Sequence, residues 1–293
     1  MKPKTNATDI IILLVLTLIT FSSLAPILNT IAISFSDRTS AVLGDVIFWP
    51  RNFNVSAYRA ILEEDMFFTT FAVSLRRVAL GGTINILLCI IMAYPLSKSP
   101  KIFKGRNIYM WLVVFTMLFN GGLVPNFILI RNLGLLDTIW ALVLPGAVPV
   151  FSVILLMNFF KGIPHALEEA AVMDGASPLF ILARIFVPLA KPAIATITLF
   201  SVVGHWNAFF DGMIFINTPA NRPVQTYIQS LTVQFDFTQL AQLTQEQILE
   251  QLERSNLTFN AAKVAISMVP ILLIYPFLQK YFVTGIVMGA VKE

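Results

Sequence analysis

Six long apolar runs dominate this sequence, and they constrain its fold more than any motif does. A helix rises about 1.5 Å per residue, so about 20 residues cross a hydrocarbon core about 30 Å thick. Buried helices of soluble proteins are usually shorter and keep a polar face. The runs therefore predict an all-α, polytopic membrane protein with six transmembrane helices, at residues 10–35, 78–96, 108–130, 139–160, 193–216 and 261–282.

The composition supports a membrane environment. Charged residues make up 12% of the chain and hydrophobic residues 57%, whereas about a quarter of an ordinary globular domain is charged. So few ionic groups do not cover a water-exposed surface. The first apolar run is too long for a cleaved signal peptide and lacks a clear small-residue cleavage site, so we expect it to be a retained span.

The positions of lysine and arginine predict the orientation. The connector between the second and third runs holds Lys98, Lys101, Lys104 and Arg106 and no acidic residue. The connectors after the first and fifth runs mix acidic and basic residues. Because basic residues are concentrated on the cytoplasmic side, we expect both termini to be cytoplasmic, with the connector 161–192 also inside and the connector 217–260 outside.

The sequence contains no pattern typical of an enzyme. A Gly-x-x-x-x-Gly-Lys-Ser/Thr phosphate loop is absent. The two histidines, His165 and His205, belong to no cluster with metal-ligand spacing, and the single cysteine, Cys89, lies inside the second run. These observations predict a non-catalytic protein with no bound metal and no cofactor of its own.

The connector 161–192 has the pattern of two short helices joined by a turn. "IPHALEEAAVM" predicts a helix with Glu168 and Glu169 on its exposed side, and Gly175 marks the turn. A second helix begins at Pro178 and ends at Pro188. Such a compact helix–turn–helix, which we call the knob, fits a groove on a soluble partner. The alternative is an ordinary amphipathic connector.

The sequence "EAAVMDGASPLFILARIFVPLAKP", residues 169–192, resembles the EAA loop of ABC importer permeases. That loop has Glu-Ala-Ala, then Asp-Gly-Ala, then an aliphatic residue, two further residues and proline. Residues 120–160 and 204–216 are similar to the maltose-type carbohydrate permeases. The resemblance covers nearly the whole chain. It implies a single permease domain over residues 1–293 with the type I ABC importer fold.

The resemblance also implies a function and a set of partners. The chain would be one of two homologous permease subunits that together form the path for a sugar or oligosaccharide across the bacterial inner membrane. Two cytoplasmic ATP-binding cassette subunits would carry ATP and Mg²⁺, and an extracytoplasmic solute-binding protein would deliver the sugar. No nucleic acid is implied. The residues expected to couple to the ATPase are Glu169, Ala170, Ala171, Asp174, Gly175, Ala176 and Pro188.

Polar residues inside apolar runs are functional candidates because burial in a membrane is costly for them. Each pair of these residues also has a structural alternative to a role in the substrate path. His205 and Asn207 could form hydrogen bonds between helices. Arg76 and Arg77 could extend to lipid headgroups, or else they favour anionic sugars such as uronates. The candidate substrate-path residues are Arg76, Arg77, Asn85, Asn120, His205, Trp206 and Asn207.

A different class of protein, an ATP-independent channel or secondary transporter, is the alternative function. Secondary transporters often contain inverted repeats and intramembrane carboxylates, and the sequence shows neither clearly. That class also leaves the knob at 161–192 unexplained. The connector 217–260, with helical spacing over residues 237–255, is expected either to meet the solute-binding protein or to cover the bundle.

Overall fold

The fold is described from a computed structural model, which places residues 7–233 and 257–290 of the chain. All regular structure in these two ranges is helical, as the apolar runs predict. The helices are α1 Ala7–Ser34, α2 Arg38–Val42, α3 Ser56–Leu62, α4 Asp65–Ser97, α5 Arg106–Leu118, α6 Leu123–Asn132, α7 Ile139–Val143, α8 Val150–Lys161, α9 His165–Met173, α10 Pro178–Leu189, α11 Lys191–Asn207, α12 Phe210–Phe215, α13 Val224–Val233 and α14 Leu257–Ala290, with a 3₁₀ turn at Pro219–Asn221.

Three of these helices are long and apolar enough to cross a membrane alone: Thr8–Ser34 in α1, Asp65–Ser97 in α4 and Leu257–Pro276 in α14. Three pairs of shorter helices also qualify if each bent pair counts as one span, which gives up to six spans within the described residues. The bends are 111° between α5 and α6, 76° between α8 and α9, and 83° between α10 and α11. The prediction of an all-α polytopic membrane fold is confirmed.

The third predicted span, 108–130, is two helices and not one. α5 ends at Leu118 and α6 begins at Leu123. The turn between them depends on Gly122, whose φ of 88° lies in the left-handed region that glycine adopts most readily. The side-chain oxygen of Asn120 accepts a hydrogen bond of 2.9 Å from the Gly122 amide. The break therefore falls inside the third apolar run, at Asn120 and Gly122.

The fourth and fifth predicted spans are interrupted as well. Residues 144–149 separate α7 from α8, and this stretch begins and ends near the two prolines Pro145 and Pro149. α11 ends at Asn207, and two residues separate it from the start of α12 at Phe210. α8 alone has 12 residues, about 18 Å of helix, which is shorter than the hydrocarbon core of a bilayer.

The described residues divide into two compact units. The first comprises the residues up to Phe67 and the range Ile228–Val269, and the second comprises Phe68–Tyr227 and the residues from Pro270 on. In the first unit, Lys263 is 1% exposed. Its ammonium lies 2.6 Å from the Glu64 carboxylate.

The core of the second unit joins α4, α5, α8, α10 and α11. Its buried residues include Cys89 on α4, Leu156 and Phe160 on α8, and Phe186 on α10. Cys89 is 1% exposed, so this small side chain packs inside the core. Because α10 supplies part of this core, the connector 161–192 is attached to the helices that carry the apolar runs.

Candidate functional site

The connector 161–192 forms the predicted helix, turn and helix. The turn after α9 is held by backbone hydrogen bonds, among them Ala176 N–H to the Ala171 carbonyl at 2.9 Å. The Ser177 side chain then caps α10 by accepting from the Phe180 amide at 3.3 Å. Pro188 lies in the last turn of α10. The structure therefore confirms the helix–turn–helix shape predicted for the knob.

Gly175 is required in the knob for its backbone conformation and not for space. Its φ is 78°, and a β-carbon built on it would meet nothing within 4 Å. The left-handed region costs a non-glycine residue about 1 kcal/mol or more. The turn between α9 and α10 therefore favours glycine even though its surroundings are open.

The predicted coupling residues divide between two faces of the knob. Glu169, Ala170, Asp174, Gly175 and Pro188 are exposed, whereas Ala171 and Ala176 are half-buried and pack against the core of the second unit.

The prediction that Glu168 is exposed is wrong. Its carboxylate lies 2.5 Å from the Lys98 ammonium, and the two side chains are 17% and 10% exposed. Burial lowers the pKa of the Lys98 ammonium below its ordinary value, although the Glu168 carboxylate acts in the opposite direction.

The outer surface of the knob is apolar around its turn. Met173 is 87% exposed and Leu179 is 76% exposed, with Val172 and Phe180 also more than half exposed. Contiguous exposed apolar surface usually marks a site of interaction with another macromolecule. The exposed acid Glu169 lies on the same helix as Val172 and Met173.

Inside the second unit, Arg77 on α4 pairs with Asp211 on α12. One guanidinium nitrogen lies 3.1 Å from one carboxylate oxygen, and the other nitrogen contacts the second oxygen, so the pair is bidentate. Arg77 is 3% exposed and also donates to the Ala208 and Leu142 carbonyls. The expectation that this arginine extends to lipid headgroups is wrong. Arg76, its neighbour, is exposed.

Asn85 is the centre of a second polar group. Its amide nitrogen donates to the Gly146 and Ala147 carbonyls, each at 2.9 Å. These carbonyls belong to the non-helical stretch between α7 and α8, where backbone groups need partners at membrane depth. The Asn85 oxygen accepts from Ser201 Oγ at 2.7 Å and lies 2.9 Å from His205 Nε2. Because an amide oxygen only accepts, His205 donates through Nε2.

A cavity of about 300 Å³ lies beside these two polar groups. This volume is at the lower end of the range typical of small-molecule sites. The cavity is bordered by side chains and backbone of α4, the α7–α8 region, α11 and α12, including Arg77, Asn85, Ser152, Phe200, His205 and Phe215.

The structure thus brings together three of the seven predicted substrate-path residues, Arg77, Asn85 and His205. The other four lie outside the cavity lining. Trp206 is 2% exposed and packs edge-on against Phe71. The exposed residues are Arg76, Asn120 and Asn207.

Sequence reasoning did not assign Ser152 and Ser201 to this region, and it did not pair Asp211 with Arg77. An acid inside an apolar run was a signal for Asp211, since a buried arginine needs a counter-charge. In the described ranges, no group of three or more His, Cys, Asp or Glu side chains is placed to hold a metal ion.

Comparison with known proteins shows which class of protein has these bent spans and this surface knob. Residues 85–288 match the family model described as "Binding-protein-dependent transport system inner membrane component". The chain belongs to this family. It is therefore a multi-pass membrane subunit of an ABC transport system and not an enzyme, and the predicted resemblance to ABC importer permeases is confirmed.

Individual relatives extend the comparison over almost the full chain. LplC of Bacillus subtilis strain 168 is 37% identical over 270 residues, which is 92% of this chain and 90% of LplC. The polygalacturonan/rhamnogalacturonan transport system permease protein YtcP of the same organism is 38% identical over 272 residues, 91% of this chain and 92% of YtcP.

A solved structure gives the same fold. One chain of a bacterial ABC transporter involved in the import of the acidic polysaccharide alginate superposes with a TM-score of 0.84 at 31% identity, covering 96% of this chain and all of that one. A second chain, from a bacterial alginate ABC transporter in complex with a periplasmic protein that carries an alginate pentasaccharide, has a TM-score of 0.53 at 16% identity and supports the fold alone.

Proposed function

We propose that this chain is one of two homologous permease subunits of an ATP-driven oligosaccharide importer. The single observation that carries the proposal is the match, over 96% of the chain, to a subunit of an alginate import system. Two cytoplasmic ATP-binding cassette subunits with ATP and Mg²⁺, and an extracytoplasmic solute-binding protein, complete the proposed assembly. The chain itself binds no cofactor in this proposal.

The knob is the proposed contact with an ATPase subunit. Its exposed surface combines the apolar side chains of Val172, Met173 and Leu179 with the acid Glu169. A cleft with an apolar floor and a basic rim is complementary to such a surface. This proposal places the knob in the cytoplasm, which the excess of lysine and arginine in the connector before α5 supports.

An acidic oligosaccharide is the proposed substrate class. Two relatives point to it, because YtcP is named for polygalacturonan and rhamnogalacturonan and the structural neighbour for alginate. The charge of Arg77 does not support this assignment, since Asp211 neutralises it. We infer that the uronate preference originates with the solute-binding protein and the partner permease.

The cavity beside Asn85 is the proposed place where this chain contacts a sugar. It offers the hydroxyl of Ser152, the imidazole of His205 and the rings of Phe200 and Phe215. Aromatic faces and a few convergent polar groups are the usual composition of a ligand site. A volume of about 300 Å³ suits one sugar ring and not a whole oligosaccharide.

Co-purification and reconstitution test the proposal. Affinity-tagged chain, expressed with its genomic neighbours, is expected to carry an ATP-binding cassette protein through purification. In proteoliposomes, solute-binding protein loaded with uronate oligomers is expected to stimulate ATP hydrolysis more than the same protein offered neutral oligomers of equal length.

The outcomes separate the function from the substrate. Substrate flux without any ATPase in the purified complex would favour the channel or secondary transporter instead. Stimulation by neutral oligomers alone would overturn the acidic substrate class and leave the importer standing.

A further inference from the structure

The ion pair between Lys98 and Glu168 joins the end of α4 to the knob. Lys98 follows the last residue of α4, and Glu168 lies in the first turn of α9. The Lys98 ammonium is 2.5 Å from the carboxylate, and both side chains are mostly buried. An ion pair removed from water in this way is screened less by salt than one on an exposed surface, and loss of either partner leaves the other charge buried and uncompensated.

Two aromatic rings hold the same ammonium from other directions. Lys98 Nζ is 3.9 Å from the centre of the Tyr94 ring on α4 and 4.2 Å from the centre of the Phe186 ring on α10. Such distances are typical of cation–π attraction. Phe186 in turn packs edge-on against Tyr94 and against Phe160 at the end of α8. One ammonium therefore contacts α4, α9 and α10.

The chain on both sides of the knob is bent. α8 and α9 meet at 76° around Gly162 and Pro164, and α10 and α11 meet at 83° around Ala190. At the α8–α9 bend, Pro164 has no backbone N–H to donate, so the helical hydrogen-bond ladder is interrupted there. Transmission of a force from α9 to the spans therefore depends on side-chain contacts as well as on the chain.

We propose that Lys98 is a positioning residue for energy coupling: its contacts with Glu168, Tyr94 and Phe186 fix α9 and α10 to the end of α4, so that α4 moves with the knob. This rests on the proposed function, in which an ATPase moves the knob. Glu169 and Met173 meet the ATPase, and Glu168, one residue from Glu169, passes that motion to α4. Two adjacent acids thus have different roles, one outward and one inward.

The test compares neutral and conservative variants in the reconstituted full complex. Lys98→Met and Glu168→Gln each remove one charge at similar size, Lys98→Arg keeps a cation, and Lys101→Met is the matched control on an exposed neighbour. The readout is sugar molecules transported per ATP hydrolysed. We expect Lys98→Met and Glu168→Gln to lower this ratio about tenfold, within the usual range of coupling between sites. Lys98→Arg and Lys101→Met should remain near the wild type.

The second readout is whether the losses in transport per ATP of the two single variants add up in the double variant. If the two residues act as one link, the Lys98→Met/Glu168→Gln double variant loses no more than the worse single variant. ATPase co-purification is expected to stay unchanged in every variant, because the outer surface of the knob is intact.

The outcomes that overturn the link differ from those that overturn the importer. A wild-type transport ratio in Lys98→Met, or equal loss in Lys101→Met, removes Lys98 from coupling while transport itself stands. Loss of ATPase co-purification in Lys98→Met shows a role in docking and also overturns the link. A wild-type chain that carries no ATPase refutes the proposed function, and the link with it.

Discussion

Arg77 and Asp211 lie 134 positions apart in the sequence and form one bidentate ion pair inside the second unit. The pair connects α4 to α12 just beyond the break that ends α11. Arg77 additionally donates to the Ala208 carbonyl at 3.2 Å, which belongs to that break. The pair therefore stabilises an interruption in a span and neutralises a charge that a membrane would otherwise disfavour.

Removal of the acid from this pair is expected to destabilise the protein. Asp211→Asn leaves the Arg77 charge buried without its counter-ion, a change that typically costs about 3 to 5 kcal/mol. The measurement is the temperature at which half of the detergent-purified protein remains monodisperse. Arg76→Gln, at the exposed neighbouring position, should leave that temperature unchanged. An Asp211→Asn protein as heat-stable as the wild type would contradict the structural role of the pair.

The Asn85 group offers a test with a close control. A β-carbon on Gly81 would lie 2.4 Å from His205 Nε2. A β-carbon on Gly82 would lie 3.9 Å from the nearest atom of another helix, Ser201 Oγ, which is an ordinary contact distance. Gly81→Ala should displace the imidazole from Asn85 and lower both heat stability and transport, and Gly82→Ala should do neither. Identical behaviour of the two variants would mean that His205 is not held as described.

The sequence predicted the features that depend on local signals. Apolar runs predicted the spans, and Gly175 with Pro178 predicted the turn and the second helix of the knob, because glycine and proline restrict the backbone wherever they occur.

The pairings across helices could not be derived in this way. Lys98 and Glu168 are 70 positions apart, and their contact depends on how α4 and α9 pack. Helical periodicity left Glu168 and Glu169 as equivalent exposed acids, and only the packing of α9 distinguishes them. The helix predicted over residues 237–255 lies outside the described residues and stays a prediction.

The orientation in the membrane also stays a prediction, and cysteine labelling tests it. Cys89 is buried, so its background reactivity should be low. Ser99→Cys is expected to react only with reagents that enter the cytoplasm, and Gln242→Cys, which lies outside the described residues, with impermeant reagents from outside. Reversed labelling of the two positions would invert the proposed topology and move the knob away from any cytoplasmic ATPase.

The turn of the knob is expected to tolerate asparagine better than other replacements of Gly175. Asparagine enters the left-handed region several-fold more often than most residues, and the space around the position is open. Gly175→Val should therefore disturb the turn, lowering ATPase co-purification and uptake, whereas Gly175→Asn retains most of both.

Glu169→Lys reverses the exposed charge on α9 and should also loosen the ATPase without affecting insertion in the membrane. Wild-type uptake by Gly175→Val and Glu169→Lys would exclude the knob from coupling.

The cavity beside Asn85 is tested by filling it. Ser152 is 5% exposed and borders the cavity, so Ser152→Leu replaces the hydroxyl with three carbon atoms where the sugar ring is proposed to lie. If the cavity contacts substrate, Ser152→Leu should change one of two measured quantities by about tenfold, which corresponds to roughly 1.4 kcal/mol. These quantities are the maximal transport rate and the concentration of loaded binding protein that half-saturates transport. ATP hydrolysis without substrate should be unaffected.

Thr198→Leu introduces the same side chain on α11 at a position outside the cavity lining and serves as the control. Equal transport by the Ser152→Leu and wild-type proteins, for both uronate and neutral oligomers, would remove the cavity from the substrate path and leave sugar contact to the partner permease.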